Sequence, residues 1–435
     1  MAAIDPSIYE EILLESADRS KTVDISGGAV SIDYYEDIFS PTITAKIQVY
    51  TTGNAIRGDG GELQTIYNGL PLRGGERVAL KIKGNSPDNP GLDFSTNQDD
   101  YLYVSGISNI ISKTQKESFV LNLASKECIT NETSRVGRKF PSTLQISESV
   151  DIILKEYLAT SKTVEVDTTQ NTYGFIGNMR KPFTILTWLA AKSVPETSSE
   201  DGTAGFVFYQ TKDSYKFKSL DDLISQSPKE IYTYTEVSRK EDDHDHNIIS
   251  YNTSKNEDII EKLRLGAYSS NRVFYNPLNF TFPSKTFKLE DYSGNSKNLG
   301  KEISLPPLDE GGEETLGDLP SRVITQVLDV GTFEVGVSTA TNADPMQYQS
   351  QALMRYNTLF TQTLNMIVPS NTNLSAGDII ECQFPLSSTE SLNEYDPDQS
   401  GLYMIKELCH HFSPDGSWTS MKVIRDTFGR YGTNT

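Results

Sequence analysis

Two histidines and three aspartates lie together in Asp242-Asp243-His244-Asp245-His246. Imidazole with carboxylate suits a divalent metal ion. On an extended segment His244 and His246 share one face, yet no third ligand is evident there. The charged run Arg239-Lys240-Glu241 precedes them. A solvated turn explains such a cluster without a metal. His410-His411 has no serine, cysteine or carboxylate partner recognisable from spacing. Cys128, Cys382 and Cys409 form no Cys-x-x-Cys pair. Three thiols make no disulfide framework and fit a reducing cytoplasm. Arg57-Gly58-Asp59 is an adhesion-type tripeptide, but so short a motif recurs by chance. The chain has no Gly-x-Ser-x-Gly elbow, no His-Glu-x-x-His and no Gly-x-Gly-x-x-Gly after a strand. No catalytic, cofactor-binding or metal-binding residue is therefore assigned. Paired glycosidase carboxylates leave no local signature, so hydrolysis stays open at this point.

Composition narrows the class. The 435 residues carry 39 Lys and Arg against 59 Asp and Glu, a net charge of −20. A protein that grips nucleic acid shows a basic footprint, and this one does not. Hydrophobic residues make up 36% of the chain, enough for ordinary cores, and no apolar run reaches 18 residues. A membrane-spanning helix is not expected. Met1 to Glu15 carries Asp5, Glu10, Glu11 and Glu15, unlike the basic start and apolar centre of a secretory leader.

The elements that frame these residues are mostly strands. From Asn373 to Arg430 the chain opens with Gly377-Asp378 and continues with Ile380, Cys382 and Phe384 on alternate positions. An acidic loop from Glu390 to Gly401 follows, then Leu402-Tyr403-Met404-Ile405, a turn at Pro414-Asp415-Gly416, and Trp418 to Ile424. Such alternation between turn signals predicts antiparallel strands. The same syntax occurs earlier: Gly75-Glu76, then Val78, Leu80 and Ile82, a loop from Asn85 to Asp100, Leu102-Tyr103-Val104, and Phe119 to Leu123. Alternating runs precede both copies: Ile43, Ala45, Ile47, Val49 in one and Leu364, Met366, Val368 in the other. Two β-modules of one design are expected.

Elsewhere, Ile8, Ile12 and Leu13 suggest a short helix within residues 1–20. Helical spacing recurs in Ser147 to Ala159, with Ser147 as its cap, and in Thr184 to Val194 behind Pro182. Trp188 is expected in a core. Strands return at Phe206-Val207-Phe208 and Tyr215-Lys216-Phe217 around a Lys212-Asp213-Ser214 turn. The aromatic stretch Phe274, Tyr275, Phe280, Phe282, Phe287 is expected to form a buried edge or a subunit interface. Ile303 to Ser321 reads as a Pro/Gly/acid loop. Pro345 to Phe360 fits a helix capped by Asp344.

Several of these segments, taken in order, resemble a known family. They are Gly205-Phe206-Val207-Phe208 with Tyr215 to Leu220, Lys181-Pro182-Phe183 with Trp188-Leu189-Ala190, Val368-Pro369 through Leu374 to Ile380, and Ser400 to Ile405 with His411-Phe412. The pattern is similar to the central baseplate hub protein of contractile-tailed phages of the T-even and cyanophage kind. It is similar also to the hub halves of late-control-D and VgrG proteins. The resemblance implies an α+β, mostly β chain with two homologous tube-type antiparallel β-barrels and α/β inserts. The first barrel would span 1–126 and a helical α/β insert 127–204. The second barrel would begin at 205–251, be interrupted at 252–345 by an insert with a long acidic loop, and end at 346–435. The resemblance further implies no enzyme activity and no cofactor. It implies a homotrimer in the virion baseplate, assembled in the host cytoplasm. Three chains of two barrels would join a sixfold tail tube to a threefold central spike, with or without a lysozyme domain, among other baseplate proteins. Phage DNA would pass through without specific binding, and no membrane is involved. An injection-system or tailocin hub would share these features. A wall or polysaccharide hydrolase would instead need two carboxylates facing across a cleft, and an adhesion module an exposed apolar patch. The loops at Asn85 to Asp100 and Ile303 to Ser321 stand out as additions to the pattern.

Overall fold

The computed structural model describes residues 5–52, 56–57, 61–113, 116–196, 203–235, 246–293, 297–301, 305, 307–309, 313–329, 345–386 and 395–429. The first module consists of β1 (Ile8–Glu15), β2 (Thr22–Asp24), β3 (Ala29–Asp37), β4 (Thr44–Thr52), β5 (Arg77–Lys83), β6 (Leu92–Asp93), β7 (Leu102–Lys113) and β8 (Lys116–Ala124). Its six main strands lie in the order β1-β5-β7-β8-β4-β3, all antiparallel. Alternate residues of each face one core: Ile12 and Leu14, Ile32 and Tyr34, Ala45, Ile47 and Val49, Val78, Leu80 and Ile82, Leu102 and Val104, Phe119, Leu121 and Leu123. A sheet whose strands all feed a single core curls around it, which gives the module its barrel form.

The N-terminal helix expected within residues 1–20 is a strand instead. Ile12 and Leu14 are fully buried two apart, the period of a strand. A bulge between Tyr9 and Glu11 inserts one residue and hides that period in the sequence.

The first insert holds α1 (Ile146–Ile152), β9 (Thr163–Val166), α2 (Pro182–Ala190), β10 (Phe206–Gln210), β11 (Ser214–Ser219) and α3 (Leu220–Ile224). α1 is capped by Gln145 rather than Ser147, and the Glu148 carboxylate accepts the Gln145 N–H at 3.0 Å. α2 opens with Pro182 at its first position, where no N–H is missed. Trp188 packs half-buried, edge-on to Tyr173 and Phe175. Strands β10 and β11, expected to begin the second barrel, form a separate sheet in which β11 pairs with β10 on one side and β9 on the other. One face, with Phe206, Phe208, Tyr215 and Phe217, completes the insert core. The other, with Val207 and Tyr209, packs against Ile379 and Met404 of the second module.

That module is built from β12 (Glu230–Thr233) and β13 (Ser250–Asn256), then, after a small sheet of β14 (Ser269–Tyr275), β15 (Ser284–Lys288) and β16 (Arg322–Val327) and the helix α4 (Pro345–Thr358), from β17 (Gln362–Pro369), β18 (Ile379–Gln383), β19 (Gly401–Ser413) and β20 (Gly416–Arg425). Asp344, the expected cap of α4, lies outside the described residues. The strand order is β12-β18-β19-β20-β17-β13, which repeats that of the first module position for position. β12 departs from it by running parallel to β18, where β1 runs antiparallel to β5. Its core, with Met366, Val368, Ile380, Cys382, Tyr403, Ile405, Met421 and Val423, is built on the same alternation.

The glycine-acid pairs read in the sequence start equivalent strands and make equivalent bonds. Gly75 and Gly377 have φ of 88° and 90°. The Gly75 N–H donates to Val104 O at 2.9 Å and Val104 N–H to Glu76 O at 2.9 Å; the Gly377 N–H donates to Ile405 O at 2.8 Å and Ile405 N–H to Asp378 O at 2.9 Å. In both, the acid side chain accepts the N–H three residues back, from Arg73 at 2.7 Å and Ser375 at 2.7 Å. The alternating runs also align, Ala45, Ile47 and Val49 with Leu364, Met366 and Val368. The Leu-Tyr pairs do not. Val104 matches Ile405, so Leu102 matches Tyr403, a slip of one residue from the sequence alignment of the two Leu-Tyr pairs.

The two glycines are not equally constrained. A Cβ on Gly75 would meet nothing within 4 Å, whereas one on Gly377 would lie 2.3 Å from Tyr209 Oη. Gly75→Ala is expected to cost about 1 kcal/mol of backbone strain. Gly377→Ala should cost roughly 3 kcal/mol, the same strain plus displacement of a buried tyrosine. Urea denaturation of the two variants side by side checks this, and equal losses would refute the packing difference.

Candidate functional site at the junction of the two modules

The two modules are fused into one sheet at a single seam. The first half of β19, Gly401–Met404, pairs with β18. A bulge at Lys406 then turns the strand, and Glu407–Phe412 pairs antiparallel with Asp37–Ile32 of β3. Bulges re-aim a strand, and this one lets β19 serve two neighbours on the same side. Lys406 Nζ binds Asp37 Oδ2 and Glu407 Oε2, each at 2.6 Å, across the bend.

Behind the seam three segments meet at Glu36. It is 2% exposed and opposite Leu408. Its Oε1 accepts the Tyr34 hydroxyl at 2.8 Å and the Lys212 N–H at 2.7 Å, and its Oε2 accepts the Ala376 N–H at 2.8 Å. One carboxylate thus ties the first module, the β10–β11 turn and the loop before β18. Burial pushes its carboxyl up to about 7, although the Ala376, Tyr34 and Lys212 donors pull the other way. Lys212 Nζ reaches Thr372 O. Burial lowers the Lys212 ammonium, against the pull of Asp213 and Glu36.

The loop from Asn85 to Asp100 is part of the same clasp. Asn89 Nδ2 donates to Ser370 O at 2.9 Å, its Oδ1 accepts the Thr372 N–H at 3.0 Å, and the Gly91 N–H donates to Thr372 Oγ1 at 2.8 Å. Glu36, Asn89 and Lys212 escaped the sequence reading because each acts on partners more than 150 residues away. Only the asparagine-glycine composition of the loop hinted at bonded turns.

His410 and His411 find partners that spacing could not reveal. His410 is fully buried, its ring stacked 6.1 Å from Tyr34, and its Nδ1 lies 3.0 Å from Thr419 Oγ1. Burial, with Lys212 nearby, pushes it down to about 3, so it stays neutral. His411 pairs with Asp33 and stacks on Trp418 at 4.0 Å. Both histidines lie in the ladder that joins the modules.

On the open face of the seam lies a cleft of about 570 Å³, lined by Tyr35, Asp37, Lys46, Glu407, Cys409 and Lys422. Its acids and lysines offset one another. Burial and Asp33 push the Cys409 thiol up to about 12, so it is no nucleophile at neutral pH. The arrangement ties three segments together through Glu36, Asn89 and Lys212.

The other candidates lie apart. His246 is half exposed, its Nδ1 3.5 Å from Glu230 Oε2, while residues 242–245 lie outside the described residues. Among the described residues no three His, Cys, Asp or Glu side chains are grouped to hold a metal. Arg57 sits in a two-residue strand, and Gly58 and Asp59 lie outside the described residues. The aromatic stretch divides: Phe274 and Phe287 are fully buried, whereas Phe280 and Phe282 are 72% and 67% exposed. No described helix is long and apolar enough to cross a membrane.

No protein-family model matches the chain. A probable baseplate hub protein of Vibrio phage KVP40 is 22% identical over 337 residues, covering 74% of this chain and 75% of that protein. In fold, the tail protein of Neisseria meningitidis MC58 matches with a TM-score of 0.57 at 10% identity, over 96% of both chains. The 43 kDa tail protein of prophage MuSo2 from Shewanella oneidensis matches with a TM-score of 0.51 at 9% identity, over 96% of this chain and 99% of that one. In sequence the chain resembles a phage baseplate hub protein, and its mostly β, two-module fold is similar to that of the two tail proteins.

Proposed function

We propose that this chain is a structural hub of a phage tail baseplate rather than an enzyme. It acts as a homotrimer whose six barrel modules form a ring. On one side the ring meets the sixfold tail tube, and on the other a threefold spike, with further baseplate proteins around it. The observation that carries this is the repeated strand order, joined head to tail through β3 and β19 in one sheet. A head-to-tail contact generates rings when its rotation closes. Two such modules per chain let three chains present six equivalent positions. The protein is placed in the virion, after assembly in the host cytoplasm.

The charge fits a conduit. Duplex DNA carries about one negative charge per 1.7 Å, and a basic wall would hold it by counterion release. A chain of net charge −20 repels it at the wall, within a Debye length of about 8 Å. Native mass spectrometry of the purified chain is the decisive measurement, and a trimer of 48.4 kDa subunits is expected. A monomer at every concentration overturns the ring.

A further inference from the structure

A buried arginine in the second insert has no acid to answer it. Arg272, in β14, is 3% exposed. Among the described residues its one bonded partner is Gln326, whose Oε1 lies 3.2 Å from Nη1, and no carboxylate lies within ion-pair distance. Its Nε has no partner. Burial first, and then the nearby Arg322, pulls the guanidinium below its ordinary range, with no acid acting against them. Arginine does not escape such a position by giving up its proton. Other buried arginines of this chain are answered. Arg355 faces Asp426 and Asp221, and the Asp398, Ser400 and Gly429 carbonyls accept from Arg425.

The space beside Arg272 collects further donors without partners. Ser270, two residues earlier on the same face of β14, is 1% exposed and its Oγ is unbonded. α4 packs against β14 and β15. Met346 of α4 joins Phe274 in one apolar cluster, and Met354 joins Phe287, the residue opposite Ser270, in another. Ser350 lies four residues from each methionine, so it meets the sheet between the clusters, level with Arg272. It is fully buried, and its Oγ is unbonded too. Two exposed cations flank this slot from the outer strands. Lys285 stands opposite Arg272, its ammonium 5.2 Å over the Phe287 ring. Arg322 stands opposite Ser270, its Nη1 donating to Leu265 O at 3.3 Å.

We propose that the slot between α4 and β14 binds one small oxyanion, a carboxylate or a phosphate. Arg272 donates to it through Nε, and the Ser270 and Ser350 hydroxyls add two O–H donors. A guanidinium edge matches two oxygens carried on one atom. Lys285 and Arg322 draw the anion in from solvent. Water satisfies buried hydroxyls but does not cancel a buried charge, so the arginine points to an anion. The bound ion pins α4 to the small sheet. A carboxylate arrives on the acidic side chain of a partner, a phosphate free from solution, and both present the same chemistry.

The test is the urea midpoint of the full chain in phosphate, acetate and chloride at equal ionic strength. A ligand held by the folded chain raises the folded-to-unfolded ratio by 1 + [L]/Kd, about elevenfold at ten times Kd, and the gain saturates. Wild type should show a saturating gain over chloride. A gain in phosphate identifies a free ion as the ligand, and a gain in acetate alone identifies an acidic side chain. Arg272→Met, which keeps the apolar stem and removes the charge, should keep only the non-saturating salt effect that phosphate has on proteins in general. A wild type that responds to the three salts no differently from Arg272→Met overturns the proposal. Ser350→Ala covers the case in which Arg272→Met does not fold, because it leaves the arginine in place. It should weaken the apparent affinity about tenfold, the loss of one hydrogen bond to a charged group. An unchanged affinity in that variant overturns the placement of the anion in the slot.

Discussion

Glu36→Ala is expected to destabilise the protein by roughly 3–5 kcal/mol, because it strands three donors around a buried side chain. Those donors are the Tyr34 hydroxyl and the N–H groups of Lys212 and Ala376. They belong to three different parts of the chain, so the loss should loosen the whole seam rather than one strand. Glu36→Gln should recover part of it, since one amide oxygen still accepts. The same residue sets a pH dependence. Its folded carboxyl is raised to about 7 from an ordinary 4.5. Between these values the folded chain binds more protons than the unfolded one. The Glu36 contribution is therefore full below pH 4.5 and declines by roughly 3 kcal/mol as pH rises to 7. His410 works in the opposite sense. It is held down to about 3 from 6.5, so its contribution is present above 6.5 and is lost as pH falls towards 3. In the wild type the two slopes oppose each other between pH 4.5 and 6.5. Glu36→Gln should leave the His410 slope alone, and its stability should climb more steeply through that window. Urea midpoints measured from pH 4 to 8 check this, and parallel profiles for variant and wild type would refute it.

Arg355→Met should cost about 3–5 kcal/mol, the loss found when one side of a buried ion pair is removed. Arg355, on α4, is 6% exposed, with Asp426 Oδ2 at 3.3 Å, Asp221 Oδ1 at 3.4 Å and Asn298 Oδ1 at 3.3 Å. Asp221 opens α3 of the first insert and accepts from Thr203, Oγ1 at 2.6 Å and N at 2.8 Å. Asp426 follows β20 and accepts the Leu299 N–H at 2.9 Å. One guanidinium thus ties both inserts to the second module. Its removal leaves two buried carboxylates facing each other. Adding Asp426→Asn to Arg355→Met should restore stability relative to the single variant, because one stranded charge is gone. Additive losses in that double-mutant cycle would show that Arg355 and Asp426 do not act as a unit.

Much of the fold was legible before any coordinates. The alternation of Val78, Leu80 and Ile82, and of Ile380 and Cys382, announces inward faces, because a half-buried strand writes its burial pattern into neighbouring residues. The glycine-acid pairs were legible too. A positive φ demands glycine, and the acid closes the turn on an N–H three residues away. Misreadings came where that local code is broken. The bulge near Glu10 made β1 look helical, and the offset between the Leu-Tyr pairs could not be seen without the bonds at Val104 and Ile405.

Local pattern thus decided which side of each strand is buried, and hence that the chain holds two alike modules. Tertiary structure alone decided which edges meet. It set β3 on β19, sent β10 and β11 to β9, and buried Glu36 and His410 among partners far along the chain. The reason is physical. A strand's face is fixed by the alternation of its own side chains, whereas its edges are backbone N–H and C=O groups that every sequence carries alike. Edge choice therefore waits on distant segments that local order does not encode.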